Sequence, residues 1–128
     1  MRIQKSESSS QKIPTKTFRD LIVWQKAKKA AVLTYEVTGK LPPEERFGLS
    51  QQMRRAAVSI SSNIAEGYQR FHKREKQQFL AIAYGSAAEL QSQLEVAEAI
   101  FNFQPTAELG SLVVEVQRML NTMLSRHA

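Results

Sequence analysis

Apolar residues return every three or four positions through most of the chain, which is the period of an amphipathic α-helix. In the longest such segment they step by 4, 3, 4, 3 and 4 residues: Ala83, Ala87, Leu90, Leu94, Ala97 and Phe101. No run shows the sustained alternation of apolar and polar residues that is typical of a strand. The pattern predicts four helices, at about residues 20–38, 49–68, 73–103 and 106–125, with one further helical turn at 43–46.

Capping residues and glycines set the expected helix ends. Asp20 suits the N-cap of the first helix because its carboxylate can accept a hydrogen bond from a free backbone N–H group. Gly39 and Gly67 stand where the first and second helices are expected to end, since glycine is the commonest residue just past a helix. Gly85 lies inside the third helix, where glycine costs about 1 kcal/mol relative to alanine. A close helix crossing at residues 85–87 would explain its presence.

Four amphipathic helices with short connections predict an all-α fold, an antiparallel up-down-up-down four-helix bundle. At 128 residues the chain needs only one domain. The first 17 residues are poor in apolar side chains and include three consecutive serines, at residues 8–10. They predict a flexible, basic and serine-rich tail ahead of a bundle that spans residues 18–128.

The composition excludes several kinds of chemistry. There is no cysteine, which rules out disulfides, cysteine-based metal sites and thiol catalysis. A di-metal site in a bundle would need a glutamate three residues before a histidine, but Gln69 and Leu124 stand there before His72 and His127. No phosphate-binding loop, serine-hydrolase motif or zinc-protease motif occurs. We therefore expect no cofactor, no metal and no catalytic residues, and hence a protein that is not an enzyme.

Positive charge is concentrated in the first part of the chain. The formal net charge is +6, yet residues 1–80 carry 16 basic and 7 acidic side chains, whereas residues 81–128 carry 2 and 5. This asymmetry favours contact with an anionic partner. No apolar stretch is long enough to span a membrane, and no signal-peptide core is visible. The expected location is therefore the cytoplasm, without membrane contact.

Basic residues interleaved with aromatic ones suit single-stranded nucleic acid, because cations bind phosphates while aromatic rings stack on bases. One such run joins the second and third helices and includes Tyr68, Phe71 and His72, and a second basic cluster lies on the first helix. The candidate nucleic-acid-binding residues are Lys26, Lys28, Lys29, Arg70, Lys73, Arg74 and Lys76. The alternative for the run is a charged loop whose aromatic side chains fold back onto the bundle.

The second helix also carries many short polar side chains, which are weak helix formers. They favour a tight polar seam against the third helix, in which Arg54 or Arg55 could pair with Glu66 or Glu89. The residues of this structural seam are Arg54, Arg55, Ser62, Asn63, Glu66 and Glu89. The alternative is that the same groups form a surface that contacts a ligand or RNA.

Several segments together resemble a known family. They lie at residues 18–27, 47–49, 52–60, 62–67 and 79–90, and include Phe47-Gly48-Leu49, Arg54-Arg55-Ala56-Ala57 and Ser62-Asn63-Ile64-Ala65-Glu66-Gly67. The chain resembles, over roughly residues 18–124, the four helix bundle protein family, also called the 23S ribosomal RNA intervening-sequence protein family. The resemblance implies a bacterial antiparallel four-helix bundle that assembles into a ring-like homopentamer. Relatives in diversity-generating retroelements imply an accessory protein that binds nucleic acid and a reverse transcriptase through a basic surface. The resemblance supplies no catalytic residues.

We therefore expect a non-enzymatic, oligomeric accessory protein that binds nucleic acid through a basic surface. RNA or single-stranded DNA would suit that surface, and the family association favours RNA. The alternative is a protein–protein scaffold whose oligomer binds an unidentified partner, with the basic residues serving solubility.

Overall fold

The computed structural model describes residues 16–102 and 107–126 of the chain. Its four α-helices are α1, Ile22–Thr38; α2, Leu49–Gln69; α3, Lys73–Phe101; and α4, Ala107–Arg126. Single turns of 3-10 helix at Phe18–Asp20 and Pro43–Glu45 precede α1 and α2. No strand occurs in the described ranges, so the predicted all-α four-helix bundle is confirmed. Apart from Lys16 and Thr17, the predicted tail lies outside the described residues, as does the predicted start of the fourth helix at Thr106.

Each helix packs on two others: α1 and α3 both contact α2 and α4. Lys26 of α1 contacts Glu115 of α4, whereas Lys29, further along α1, contacts the earlier residue Glu108. α1 and α4 therefore run in opposite directions. α2 and α3 also run in opposite directions, because Ser59 meets Ser86 while the later residue Tyr68 meets the earlier residue Lys76.

The core lies along the bundle axis. Its largest fully buried side chains belong to all four helices: Val37 of α1, together with Met53, Ile60, Ile64, Leu90, Leu109, Val113, Val116 and Leu120 of the other three. Burying one such side chain contributes about 1.5–3 kcal/mol. α1 adds smaller side chains, including the fully buried Thr34, whose hydroxyl donates to the Ala30 carbonyl oxygen at 2.7 Å. That bond within the helix satisfies a polar group that the apolar pattern does not select.

Asp20 stabilises the turn before α1 and not the start of α1 itself. The Thr17 hydroxyl accepts from the backbone N–H of Arg19, while the Asp20 carboxylate accepts from the N–H groups of Lys16 and Thr17 at 2.9 and 3.1 Å. These bonds from Lys16 and Thr17 lower the pKa of Asp20 below its ordinary value. The N-cap of α1 is Leu21, without a side-chain cap, so the prediction of Asp20 as N-cap is wrong.

Of the three glycines singled out in the sequence, Gly39 stands at the end of a helix as predicted, and the other two take other roles. Gly39 follows α1 but has right-handed backbone angles (φ −63°). Gly67 does not end α2, which continues to Gln69. A Cβ added at Gly67 would lie 3.2 Å from the Phe79 Cβ, so this glycine permits the close approach of α2 and α3. Gly85 is exposed, and among the described residues no atom outside its own stretch of helix lies within 4 Å of a Cβ placed there. Within the crossing predicted at residues 85–87, α2 therefore meets Ser86, whose hydroxyl lies 2.8 Å from that of Ser59, and not Gly85.

α3 ends at Phe101, two residues before the predicted end. Asn102 adopts the left-handed conformation (φ 51°), and its N–H donates to the Glu98 carbonyl oxygen. Asparagine tolerates this conformation better than most residues, which makes it an effective helix terminator.

Candidate nucleic-acid interface

The lysines predicted on α1 are largely engaged within the bundle. Lys26 pairs with Glu115 at 3.2 Å and Lys29 with Glu108 at 2.6 Å, both on α4. The Lys28 ammonium lies 5.6 Å from the centre of the Trp24 ring, within cation–π range. The two ion pairs join α1 to α4 and neutralise the two lysines. This cluster should therefore bind a phosphate more weakly than three unpaired lysines would.

Two basic residues of the α2–α3 joint, which we define as residues 70–76, hold the joint in shape. Arg70 pairs with Glu66 at 2.7 Å and lies over the Phe79 ring, 4.7 Å from its centre. The Lys76 ammonium donates to the Tyr68 carbonyl oxygen at 2.9 Å. Because carbonyls at a helix C-terminus lack intrahelical donors, Lys76 caps α2.

The side chains at residues 71–74 of the joint face water. Phe71 is 95% exposed, so it does not fold back onto the bundle. Lys73 and Arg74 are also exposed, and neither forms an ion pair with any other residue that the structure describes. Both lie in the first turn of α3, where the helix dipole disfavours cations. A local arrangement that costs stability without a compensating contact is a common mark of a functional surface.

The polar seam between α2 and α3 is centred on serines. The hydroxyls of Ser59 and Ser86 lie 2.8 Å apart, and the Asn63 amide donates to the Ser59 carbonyl oxygen at 2.8 Å and to its hydroxyl at 3.0 Å. Ser62 and Glu89 are exposed. The observed polar contact therefore involves fewer of the predicted seam residues than expected.

The arginine pairings predicted for this seam are wrong. Arg54 Nε donates to the Thr38 hydroxyl at 2.8 Å, and its guanidinium lies 4.5 Å from the centre of the Tyr35 ring. Glu66 pairs with Arg70 instead. Arg54 consequently joins α2 to α1 and not to α3.

A second cationic surface lies at the other end of α2. The sequence placed Arg54 and Arg55 on a ligand- or RNA-contacting surface only as the alternative to the seam, and it did not select Arg46, Phe47 or Tyr35. An open groove of about 620 Å³, here called the Arg54 groove, is lined by Tyr35, Arg46, Phe47, Arg54, Arg55 and Val58 together with Gln51 and Ser59. Among the described residues, no aspartate or glutamate lines it. The nearness of Arg46-Phe47 to Arg54-Arg55 in the sequence was an available signal. The sequence carried no such signal for Tyr35, because its position in the groove depends on how α1 packs on α2.

The described ranges contain neither a metal-binding cluster nor a membrane-spanning helix. No group of three or more histidines, aspartates or glutamates is placed there to hold a metal ion. None of the helices described here combines the length and apolarity needed to cross a membrane.

Comparison with known proteins identifies one family and one fold. A family model described as 23S rRNA-intervening sequence protein matches residues 19–122. A crystal structure of a protein of unknown function from the S23 ribosomal protein family of Bacteroides thetaiotaomicron VPI-5482 superimposes with a TM-score of 0.71. The two chains are 23% identical, and the match covers 80% of this chain and 98% of the other, which shows a shared fold. No curated protein matches the sequence.

Proposed function

Because the chain belongs to the 23S rRNA-intervening sequence protein family, we propose that it binds nucleic acid as a non-enzymatic accessory protein. The proposed ligand is single-stranded, either RNA or DNA. The family's link to ribosomal RNA favours RNA. The proposed contact surface is the α2–α3 joint.

The observation that carries this proposal is the exposed ring of Phe71 next to two exposed, unpaired cations, Lys73 and Arg74. A nucleobase stacked on an aromatic side chain contributes about 1–3 kcal/mol. The two cations can bind the flanking phosphates, and an arginine can do so through two parallel hydrogen bonds. Arg70 and Lys76 have a different role, since they fix the joint through Glu66 and the end of α2.

Charge supports the same proposal at the level of the whole chain. Residues 70–76 contain four basic side chains against the single carboxylate of Glu75. If copies assemble, these modest surfaces add, and five chains of +6 would carry +30. Linked weak sites bind a polyanion far more tightly than one site does.

The test is a salt series with labelled single-stranded RNA, single-stranded DNA and duplex. Each phosphate that the protein neutralises should contribute a slope of about −0.7 to the logarithmic plot of affinity against salt for a single strand. Binding that is absent at low salt, or that does not respond to salt, would contradict the proposal. If the protein is not an enzyme, the nucleic acid should be intact at the end of the same incubation. Cleavage would contradict the proposal that the protein is non-enzymatic.

A second candidate function, self-association as an interaction module, is favoured by the outer face of α3. Small and aliphatic side chains are exposed there at steps of three or four residues: Ile82, Gly85, Ala88, Ser92, Val96 and Ala99. Between residues 81 and 100 the fully exposed charged side chains of α3 are only Glu89 and Glu95. Small residues let a second helix approach closely, while Ile82 and Val96 supply apolar area. We propose that copies of the chain associate through this face, as a homopentamer.

Replacing Val96 with lysine is expected to reduce the assembly to monomers, because a charge would then be buried between copies. The measurement is the mass in solution by light scattering. The matched control is Val32→Lys on α1, since Val32 and Val96 are similarly exposed, at 52% and 45%. An assembly that survives Val96→Lys, or that is lost equally in both variants, would rule out this face as the interface.

A further inference from the structure

We propose that the outer face of α2 forms a track for one nucleic-acid strand, running from the α2–α3 joint to the Arg54 groove at the opposite end of the helix. This inference rests on the proposed function, because it assumes that a single strand binds at the joint. It adds a second contact site, on Arg46 and Phe47, which the sequence did not select, and on Arg54 and Arg55, for which RNA contact was only the alternative to a structural seam.

Arg54 is a preorganised phosphate ligand. Its Nε is used by the Thr38 hydroxyl, which in turn donates to the Thr34 carbonyl oxygen at 2.8 Å. Thr38 is buried and Tyr35 stacks on the guanidinium, so the side chain is held from two sides. Its two Nη groups form no hydrogen bond or ion pair with other described residues. A guanidinium fixed in this way loses little conformational entropy when an oxyanion binds.

The rest of the groove has the same chemistry as the joint. Arg46 and Arg55 are exposed and form no ion pair among the described residues. The Phe47 ring is 80% exposed, with the Arg46 guanidinium 5.7 Å from its centre. Three guanidinium groups without a lining carboxylate favour a polyanion. The exposed ring distinguishes a base-bearing strand from an acidic peptide, since it offers a stacking surface.

The stretch of α2 between the two sites presents no unpaired negative charge. Its exposed and half-exposed side chains are short, among them Val58, Ser61 and Ser62. The first carboxylate along this face is Glu66, and Arg70 neutralises it at 2.7 Å. On the α3 side, the exposed carboxylate of Glu89 shares a groove with Arg55 and Ser59. The phosphate backbone is therefore placed along Val58, Ser61 and Ser62, whose short side chains let it come close.

The two most exposed large hydrophobic side chains of the described residues bracket this helix. Phe47 precedes α2 and Phe71 follows it. The 21 residues of α2 span about 32 Å at 1.5 Å per residue. A stacked single strand rises about 3.4 Å per nucleotide, so roughly nine nucleotides would reach from one ring to the other.

The experiment measures the affinity of oligouridines of increasing length for the wild type and for a groove variant, Phe47→Ala with Arg55→Gln. We expect wild-type affinity to rise with length up to about nine nucleotides and then to level off. The groove variant should lose about twentyfold on the nonamer, since one lost phosphate contact and one lost stack each contribute about fivefold at 0.1 M salt. It should lose far less on a tetramer, because the joint still holds a short strand and only the longer strand needs both sites at once.

Arg118→Gln is the matched control, since it removes one exposed positive charge from α4, and it should leave nonamer binding nearly unchanged. Far-UV circular dichroism checks that each variant is folded. A groove variant that binds the nonamer like the wild type, or that loses only the binding of an oligoglutamate peptide, would overturn the track while leaving the joint intact. A wild type that binds no oligonucleotide would overturn the proposed function as well.

Discussion

Replacing Gly67 with leucine is expected to lower the free energy of unfolding by about 2 kcal/mol, because no side chain fits between α2 and α3 at this position. A Cβ there would lie 3.2 Å from the Phe79 Cβ and 3.3 Å from the Lys76 carbonyl oxygen. Both atoms belong rigidly to α3, so the helix itself must shift. Overpacking costs about 1–3 kcal/mol, and a side chain as large as leucine should lie near the upper end of that range. The better helix propensity of leucine offsets about 0.8 kcal/mol of this cost.

Urea denaturation followed by circular dichroism measures this change. It should be carried out at several protein concentrations, because assembly would add to the apparent stability. Alanine at two positions provides the matched control. Gly67→Ala should destabilise the protein by about 1 kcal/mol, whereas Gly85→Ala should stabilise it by about as much, since nothing lies within 4 Å of the new methyl group. Equal effects at the two glycines would show that α2 and α3 do not approach at Gly67.

The two glycines also show where sequence reasoning succeeds and where it stops. The period of the apolar residues is a local property, and it predicted the four helices and the bundle. The reason for a glycine within a helix is set by what faces it across the bundle. Gly67 faces Phe79 and Leu80 of α3, while Gly85 faces open space. Neither environment could be read from residues near them in the sequence.

The candidate site divides in a similar way. The run from Arg70 to Lys76 was selected from the sequence because basic and aromatic residues alternate there. Its division into structural and free cations was not predictable, since Lys76 reaches back to the end of α2. Likewise, Lys26 and Lys29 resemble free surface lysines until α4 places Glu115 and Glu108 beside them. Pairing partners distant in sequence therefore decide which charges remain available.

Removing the three free side chains of the joint together, as Phe71→Ala, Lys73→Gln and Arg74→Gln, is expected to weaken single-stranded RNA binding by about a hundredfold at 0.1 M salt. Each phosphate contact contributes about fivefold under these conditions, and the loss of one stacked base contributes about fivefold or more. The slope of affinity against salt should become shallower by about 1.4, which corresponds to two phosphates. All three side chains are exposed, so the free energy of unfolding should change by less than about 0.5 kcal/mol.

The matched control for charge is Lys26→Gln with Lys29→Gln. Like the joint variant, it lowers the net charge of the chain by two. Because these lysines already pair with Glu115 and Glu108, this variant should retain most of the affinity and nearly the whole salt slope. A control that weakens binding as much as the joint variant would mean that RNA responds to the net charge of the chain and not to a defined surface. A joint variant that binds RNA like the wild type would show that RNA contacts a different surface of the bundle. The comparison therefore separates the positive charges that the fold has neutralised from those it leaves free for a phosphate.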